Sequence, residues 1–305
     1  MKSIYMAGHI IITIILILHA QTSQAQEPGS FSGNGDYNYN ESSGRGPSQW
    51  GNLNPDWILC KTGKMQSPVD VTNVKVETVT DSVEVDTEYK ASLTTLVNRG
   101  HDIALEWTGD AGYIEINGIY YQLQQVHWHV PSEHTVNGKR FELERHAVHV
   151  NAKTGNIAVL AVLYKIGGKD PFLKQMKKYL KTMVKSNITE TYPGMIDPDD
   201  ITEDDESFYR YSGSLTTPPC TEGVIWTVQK KIMTVSQSQV DLLLNAVHGN
   251  ENARPLQAIN KRKISLYVPC DDTDSARIFL PKKMDWSVIV YPLEYLQRKL
   301  FYSST

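Results

Sequence analysis

The 305-residue sequence predicts a mainly β fold, a mostly antiparallel sheet with a few short peripheral helices. Three observations predict it. Short runs alternate apolar and polar residues with the period of two that sends successive side chains to opposite faces of a strand. Two Asn-Gly pairs, Asn117-Gly118 and Asn137-Gly138, stand between such runs, where tight hairpins require positive φ. Helical spacing is confined to two segments.

Taken in order, the chain opens with Lys2, an apolar run Ile10–Leu18 and small residues Ser23 and Ala25, the pattern of a cleaved secretory signal over residues 1–25. The run falls short of the roughly 20 apolar residues that span a bilayer, and no later segment is apolar enough, so no membrane span is expected after signal removal. Residues 26–35 are rich in Gly and Ser without an apolar period and form a flexible arm. Strands follow at 74–79, 102–107, 112–130 (folded at Asn117-Gly118), 140–150 and 157–166. The spacing predicts helices over 170–184 and 235–247, the latter with Ser236 as N-cap. Residues 268–305 form an extension, mixed and then apolar, with no assigned role.

The leader-free chain suits one all-β domain, for which roughly 200–250 residues is ordinary. A formal charge of −4 without a basic stripe argues against nucleic acid as a partner. The three cysteines, Cys60, Cys220 and Cys270, allow one disulfide and leave one thiol over in an oxidising compartment. Asn40-Glu41-Ser42 and Asn187-Ile188-Thr189 are glycosylation acceptors. No G-x-S-x-G elbow is present, which disfavours a serine hydrolase.

The chemistry concentrates in Gln125-Val126-His127-Trp128-His129. Five of the nine histidines lie between 127 and 149. On a strand, Gln125, His127 and His129 share one face, and on the next strand Glu144, His146 and Val148 share one face, with Arg145 and His149 on the other. Antiparallel pairing brings three imidazoles together, and three neutral imidazoles with an open fourth position make a catalytic zinc site. Gln125 beside His127 and Glu144 beside His146 are placed to accept each ring's other N–H. A chance His-x-His with ordinary hydrogen-bonded rings is the bland alternative; the shared face and the flanking acceptors favour metal binding.

"QVHWHVPSEHTVNG" with "ELERHAVHVN" resembles the α-class carbonic anhydrases. So do "MQSPVDV" (65–71), "NRGHDIALEW" (98–107), "YSGSLTTPPCTEGVIWTV" (211–228) and "RPLQAINKR" (254–262), in family order over residues 36–267. The likeness is strongest to the plant branch. It implies a large central, mostly antiparallel twisted sheet with one Zn2+ in a cone-shaped cleft. It implies reversible hydration of carbon dioxide to bicarbonate and a proton by zinc-bound hydroxide, with sulfonamides and anions as inhibitors. Residue by residue, it makes His127, His129 and His146 the zinc ligands and Gln125 and Glu144 their supports. Thr216 orients the nucleophile and passes its proton to Glu133, and Thr217 contacts bicarbonate. His101 shuttles protons, Tyr39 belongs to the cleft's water network, and Val148, Val159, Leu215 and Trp226 form the wall that holds carbon dioxide. Cys60 and Cys220 match the disulfide of extracellular members.

The sequence departs from the family at Arg145, beside the third ligand and expected to affect packing only. It departs also at Gln124, Ala104 and Arg99 near the cleft, where the shuttle's surroundings are altered. A storage or binding protein on the same fold, as in plant tubers, is the main rival reading; retention of all three histidines, Glu133 and Thr216 argues against it. An esterase-like zinc hydrolase is a third. The leader implies the secretory pathway, ending outside the cell (the apoplast) or in the chloroplast. The sequence sets no oligomeric state.

Overall fold

The computed structural model describes residues 37–71, 76–79, 85–202 and 207–268. The chain divides into two units after Pro269, and all described residues belong to the first. The expected signal (1–25), the arm (26–35), Cys270 and nearly all of the 268–305 extension lie outside the described residues. Among the described residues, no helix is long and apolar enough to cross a membrane.

The strands are β1 (Val76–Val79), β2 (Asp86–Tyr89), β3 (Ser92–Asn98), β4 (Ile103–Trp107), β5 (Gly112–Ile116), β6 (Ile119–His129), β7 (Thr135–Val136), β8 (Lys139–Arg140), β9 (Leu143–Val150), β10 (Ile157–Ile166), β11 (Glu190–Ile196), β12 (Phe208–Ser214), β13 (Glu222–Gln229), β14 (Met233–Val235) and β15 (Ile264–Tyr267). Thirteen form one sheet along the order β1-β15-β12-β13-β10-β9-β6-β4-β3-β11, with β2, β5 and β14 branching from it, and β7 and β8 pair separately. Pairing is mostly antiparallel; β1 with β15, and β10 with both β13 and β14, run parallel.

Both Asn-Gly pairs turn as expected. Asn117 and Gly118 have φ of 53° and 77°, and Asn137 and Gly138 have 52° and 75°, the two left-handed residues that a type I′ hairpin needs. The second hairpin returns the chain so that β9 lies antiparallel to β6, with His127 directly opposite His146. A register shift between Leu123 and Gln125 marks a bulge at Gln124, which adds one side chain to the cleft face without disturbing the alternation beyond it.

One sheet face is covered by two helices, α3 (Pro171–Ser186) and α4 (Gln237–Ala246), the third and fourth after short turns α1 (Trp50–Leu53) and α2 (Leu59–Thr62). Asp170 caps α3 by accepting from the Leu173 N–H at 2.6 Å, with Pro171 in the first turn. Gln239 Oε1 reaches back to the Ser236 N–H at 3.1 Å at the start of α4. Helix α3 buries Phe172, Leu173, Met176, Leu180 and Met183, each such side chain contributing roughly 1.5–3 kcal/mol. They pack on Leu105, Val126, Trp128 and Ala147 of the sheet. A second core on the other face joins Val148, Val159, Tyr211 and Trp226.

Several strands carry no clear alternation in sequence, among them β3, β11, β12 and β13. Strand β11 contains Pro193-Gly194, which reads as a breaker; it survives because it pairs on one side only, with β3, and bulges between Thr191 and Gly194.

Candidate functional site

The three imidazoles rise from the middle of the sheet. His127 and His129 come from β6, and His146 comes from β9. Their ring centroids are 4.9, 5.1 and 4.6 Å apart pairwise, and their candidate ligand atoms lie within 4.8 Å of one another. In each ring the other nitrogen is engaged. Gln125 Oε1 faces His127 Nδ1 at 2.9 Å, the Asn252 carbonyl faces His129 Nδ1 at 2.8 Å, and Glu144 Oε1 faces His146 Nε2 at 2.6 Å. These acceptors hold the proton on the outer nitrogen, leaving His127 Nε2, His129 Nε2 and His146 Nδ1 as lone-pair donors toward a common centre. His129 Nε2 is buried and has no hydrogen-bond partner among the described residues. Burial pushes His127 well below the usual histidine range and lowers His146 despite the Glu144 carboxylate beside it. Neutral rings, a convergent trio of nitrogens and a buried orphan donor atom fit a tetrahedral metal such as zinc.

Glu144 anchors a wider buried network. Its Oε1 also meets His134 Nδ1 at 2.6 Å, and its Oε2 accepts from the N–H groups of Glu133 (2.8 Å) and His134 (2.7 Å). His134 Nε2 continues to the Tyr211 hydroxyl at 2.6 Å, and that hydroxyl to Ser67 Oγ at 2.8 Å. Burial works against ionisation of Glu144, but His134 and His146 outweigh it and hold the carboxyl well below its ordinary range.

Above the trio opens a cavity of about 570 Å³. His101, Thr216, Thr217, Val148, Val159, Leu215 and Trp226 all line it. Val159 sits opposite Val148 on one side and beside Trp226 on the other, which makes the apolar wall continuous across β9, β10 and β13. The bulge brings Gln124 onto the cavity wall beside Gln125. Ala104 stands opposite His127 in register. Arg145 projects to the helix-covered face, where it donates to the Ile201 carbonyl at 2.5 Å.

Two placements differ from expectation. Tyr39 is not among the residues that line the cavity: its buried hydroxyl has no partner among the described residues and its ring packs on Trp50 at 5.3 Å. Tyr37 occupies the wall instead, with its hydroxyl 2.9 Å from His101 Nε2. The two tyrosines are two residues apart in a segment without secondary structure, so packing against Trp50 and Trp57, not sequence offset, decides which one faces the cleft. Thr216 makes no hydrogen bond to Glu133. Glu133 Oε1 is taken by the Arg254 N–H at 2.9 Å, which turns Oε2 toward His129 Nε2 at 3.5 Å, buried and without a hydrogen-bond partner.

Cys60 and Cys220 are joined, with Cα atoms 5.0 Å apart across 160 residues. In the chain-entropy model a closed loop of that length is worth about 5 kcal/mol. Cys220 adopts φ of 58° and donates its N–H to the Thr217 carbonyl at 2.8 Å, so the bond pins the turn that carries Thr216 and Thr217. Asn40 and Asn187 are both exposed.

Asn252, Arg254, Tyr211 and Tyr37 were not foreseen as site residues. Tyr211 and Arg254 lie in the motifs quoted above. Asn252 acts on His129 through a main-chain carbonyl, for which no sequence signal exists.

Comparison with known proteins places this architecture. The family model of the eukaryotic-type carbonic anhydrases matches residues 45–268. Alpha carbonic anhydrase 7 of Arabidopsis thaliana is 46% identical over 261 residues, covering 85% of this chain and 93% of that protein. Among solved structures, dioscorin complexed with ascorbate superposes with a TM-score of 0.74 at 40% identity, covering 76% of this chain and 98% of that one. The α-carbonic anhydrase of Thermovibrio ammonificans with the inhibitor sulfanilamide superposes with a TM-score of 0.69 at 37% identity, covering 76% of this chain and 100% of that one. The chain belongs to the eukaryotic-type, α-class carbonic anhydrase family.

Proposed function

We propose that this protein is a working carbonic anhydrase that converts carbon dioxide and water reversibly to bicarbonate and a proton. The observation that carries the proposal is the convergence of three lone-pair nitrogens, each fixed by an acceptor on its far side, at the foot of a cavity with one apolar wall. His127, His129 and His146 would hold zinc, which when bound supplies the Lewis acidity that makes water a nucleophile at neutral pH. Val148, Val159, Leu215 and Trp226 hold carbon dioxide, which has no dipole and is best retained by an apolar surface. Thr216 would orient the attacking oxygen by accepting a hydrogen bond from it and would donate its own hydroxyl to Glu133 Oε2, a bond that the structure does not form and for which that buried oxygen is left available among the described residues. Thr217 steadies the departing bicarbonate. His101 takes the released proton toward solvent; burial lowers its pKa, with Asp102 opposing, so the ring is neutral and ready to accept at pH 7.

The leader and the exposed acceptors Asn40 and Asn187 support a glycosylated protein of the secretory pathway. The likeness to dioscorin supports a second reading, a weakly active or inactive binding protein on the same fold.

Stopped-flow hydration on zinc-quantified mature protein, with and without sulfanilamide, separates the two. Fast, sulfonamide-sensitive hydration at about one zinc per chain is expected. Zinc-loaded protein without hydration would favour the binding reading, and failure to take up zinc would overturn the metal centre.

A further inference from the structure

Tyr37 and His101 stand 64 residues apart in sequence and meet at the cavity wall, hydroxyl to Nε2 at 2.9 Å, with ring centroids 5.0 Å apart. Tyr37 is itself wedged edge-on against Trp50 at 5.1 Å and Trp57 at 5.8 Å. Its ring therefore has little freedom to follow a rotating imidazole. The turn that carries His101 is braced from the other side. The Arg99 guanidinium grips the Asp102 carboxylate through Nε at 2.7 Å and Nη2 at 2.5 Å, and the Arg99 N–H donates to the Asp102 carbonyl at 3.0 Å. These side chains are 11% and 1% exposed, so the pair is well shielded from solvent. Gly100, with φ of 86°, makes the intervening turn and donates its N–H to Asn98 Oδ1 at 2.8 Å.

We propose that Tyr37 is a positioning residue for proton transfer: its phenol, seated in the tryptophan wedge, holds the His101 ring in one orientation on the Arg99–Asp102 turn. The proposal rests on the carbonic anhydrase reading above. A phenol suits the task because its oxygen both donates and accepts. It donates to Nε2 when the ring is neutral there and accepts from Nε2–H when the ring has taken up a proton, so the contact survives both states. Burial pushes the Tyr37 pKa far up, with Asp102 adding to it, so the hydroxyl hydrogen is retained at any working pH. The charged and titratable groups facing His101 are Asp102 and Arg99 from its own turn and His129 from β6. A ring held in place has no reorientation to repeat in each cycle.

Tyr37→Phe keeps the ring in its wedge and removes only the hydroxyl. In dilute buffer kcat is expected to fall about tenfold, a part of the roughly 100- to 10,000-fold that a positioned proton-transfer group supplies. Zinc content and kcat/KM should stay unchanged, added imidazole should restore kcat, and the substitution should cost nothing further in a His101→Ala background. The 15N shifts of the His101 ring, read on zinc-free as well as zinc-loaded protein, should pass from a single tautomer to an averaged pair. Unchanged kcat and unchanged ring shifts in Tyr37→Phe, with an active wild type, would overturn the positioning role alone. Equal losses in kcat, kcat/KM and zinc content would also overturn it, marking Tyr37 as structural. A zinc-loaded wild type that does not hydrate carbon dioxide overturns the functional reading instead, and the ring shifts then show whether the contact exists apart from it.

Discussion

His146 and His149 lie three residues apart on β9, both buried, on opposite faces of the same sheet. On the cavity face, His146 gives its Nε2 to Glu144 and turns Nδ1 toward the other rings, 3.3 Å from His127 Nε2. On the helix-covered face, His149 Nε2 meets the Tyr89 hydroxyl at 2.7 Å, with the two rings stacked 6.0 Å apart. Burial pushes His149 down to about 3, so it stays neutral, as His146 does, but among the described residues it belongs to no cluster of imidazoles. Burial and neutrality therefore do not make a candidate ligand. The face of the strand does, by deciding whether the free nitrogen meets others around an opening or is sealed into a core.

The strongest way to break this contrast is His129→Ala. It should abolish zinc binding and hydration while leaving near-UV circular dichroism native-like, a loss larger than the roughly 10- to 100-fold in metal affinity that removing a ligand's support costs. Full hydration in that variant would sink the assignment of the trio.

Glu144→Ala comes next. It strips the acceptor from the His134 and His146 rings and from two backbone N–H groups. Each orphaned group costs roughly 1–3 kcal/mol, so urea denaturation should show a loss of several kcal/mol, and zinc titration a 10- to 100-fold weaker site. A variant of undiminished stability would show that the network is not the scaffold proposed for it.

The smallest effect on function belongs to the opposite face. His149→Phe should leave zinc content and kcat/KM unchanged and cost only about 1–2 kcal/mol for the orphaned Tyr89 hydroxyl. Its signature is pH-dependence. The folded ring stays neutral down to about 3, whereas an unfolded imidazole protonates near pH 6.5. Over that window the unfolded state binds the extra proton, so wild-type stability falls as pH drops from about 6.5 toward 3, by at most on the order of 5 kcal/mol. Denaturation midpoints of His149→Phe should fall less steeply over the same range; an identical slope would mean that His149 is not kept neutral by the fold.

The parts of the site that were legible in sequence are those governed by local rules. Alternation on two strands and a type I′ turn at Asn137-Gly138 are enough to put His127, His129 and His146 on one face. The family motifs supplied the rest of the cavity wall, including Thr216 in the turn after β12 and Trp226 on β13, strands that were not recognisable by period. Tyr39 shows the limit of matching by offset, because in a segment without a period a shift of two residues changes the residue but not the pattern. Strand β11 shows the limit of local propensity, because Pro193-Gly194 is a breaker except at a sheet edge.

The sequence by itself determined the faces of the strands, the hairpin turns, both long helices with the Ser236 cap of the second, and hence the histidine trio with two of its three supports. Those follow from side-chain period and backbone φ, which neighbouring residues set. Only the tertiary structure decided that the Asn252 carbonyl holds His129, that Tyr37 meets His101, and that β13 lies parallel beside β10 to complete the apolar wall. These contacts join segments far apart in the chain. Their distances come from how the whole sheet packs, and no local period encodes them.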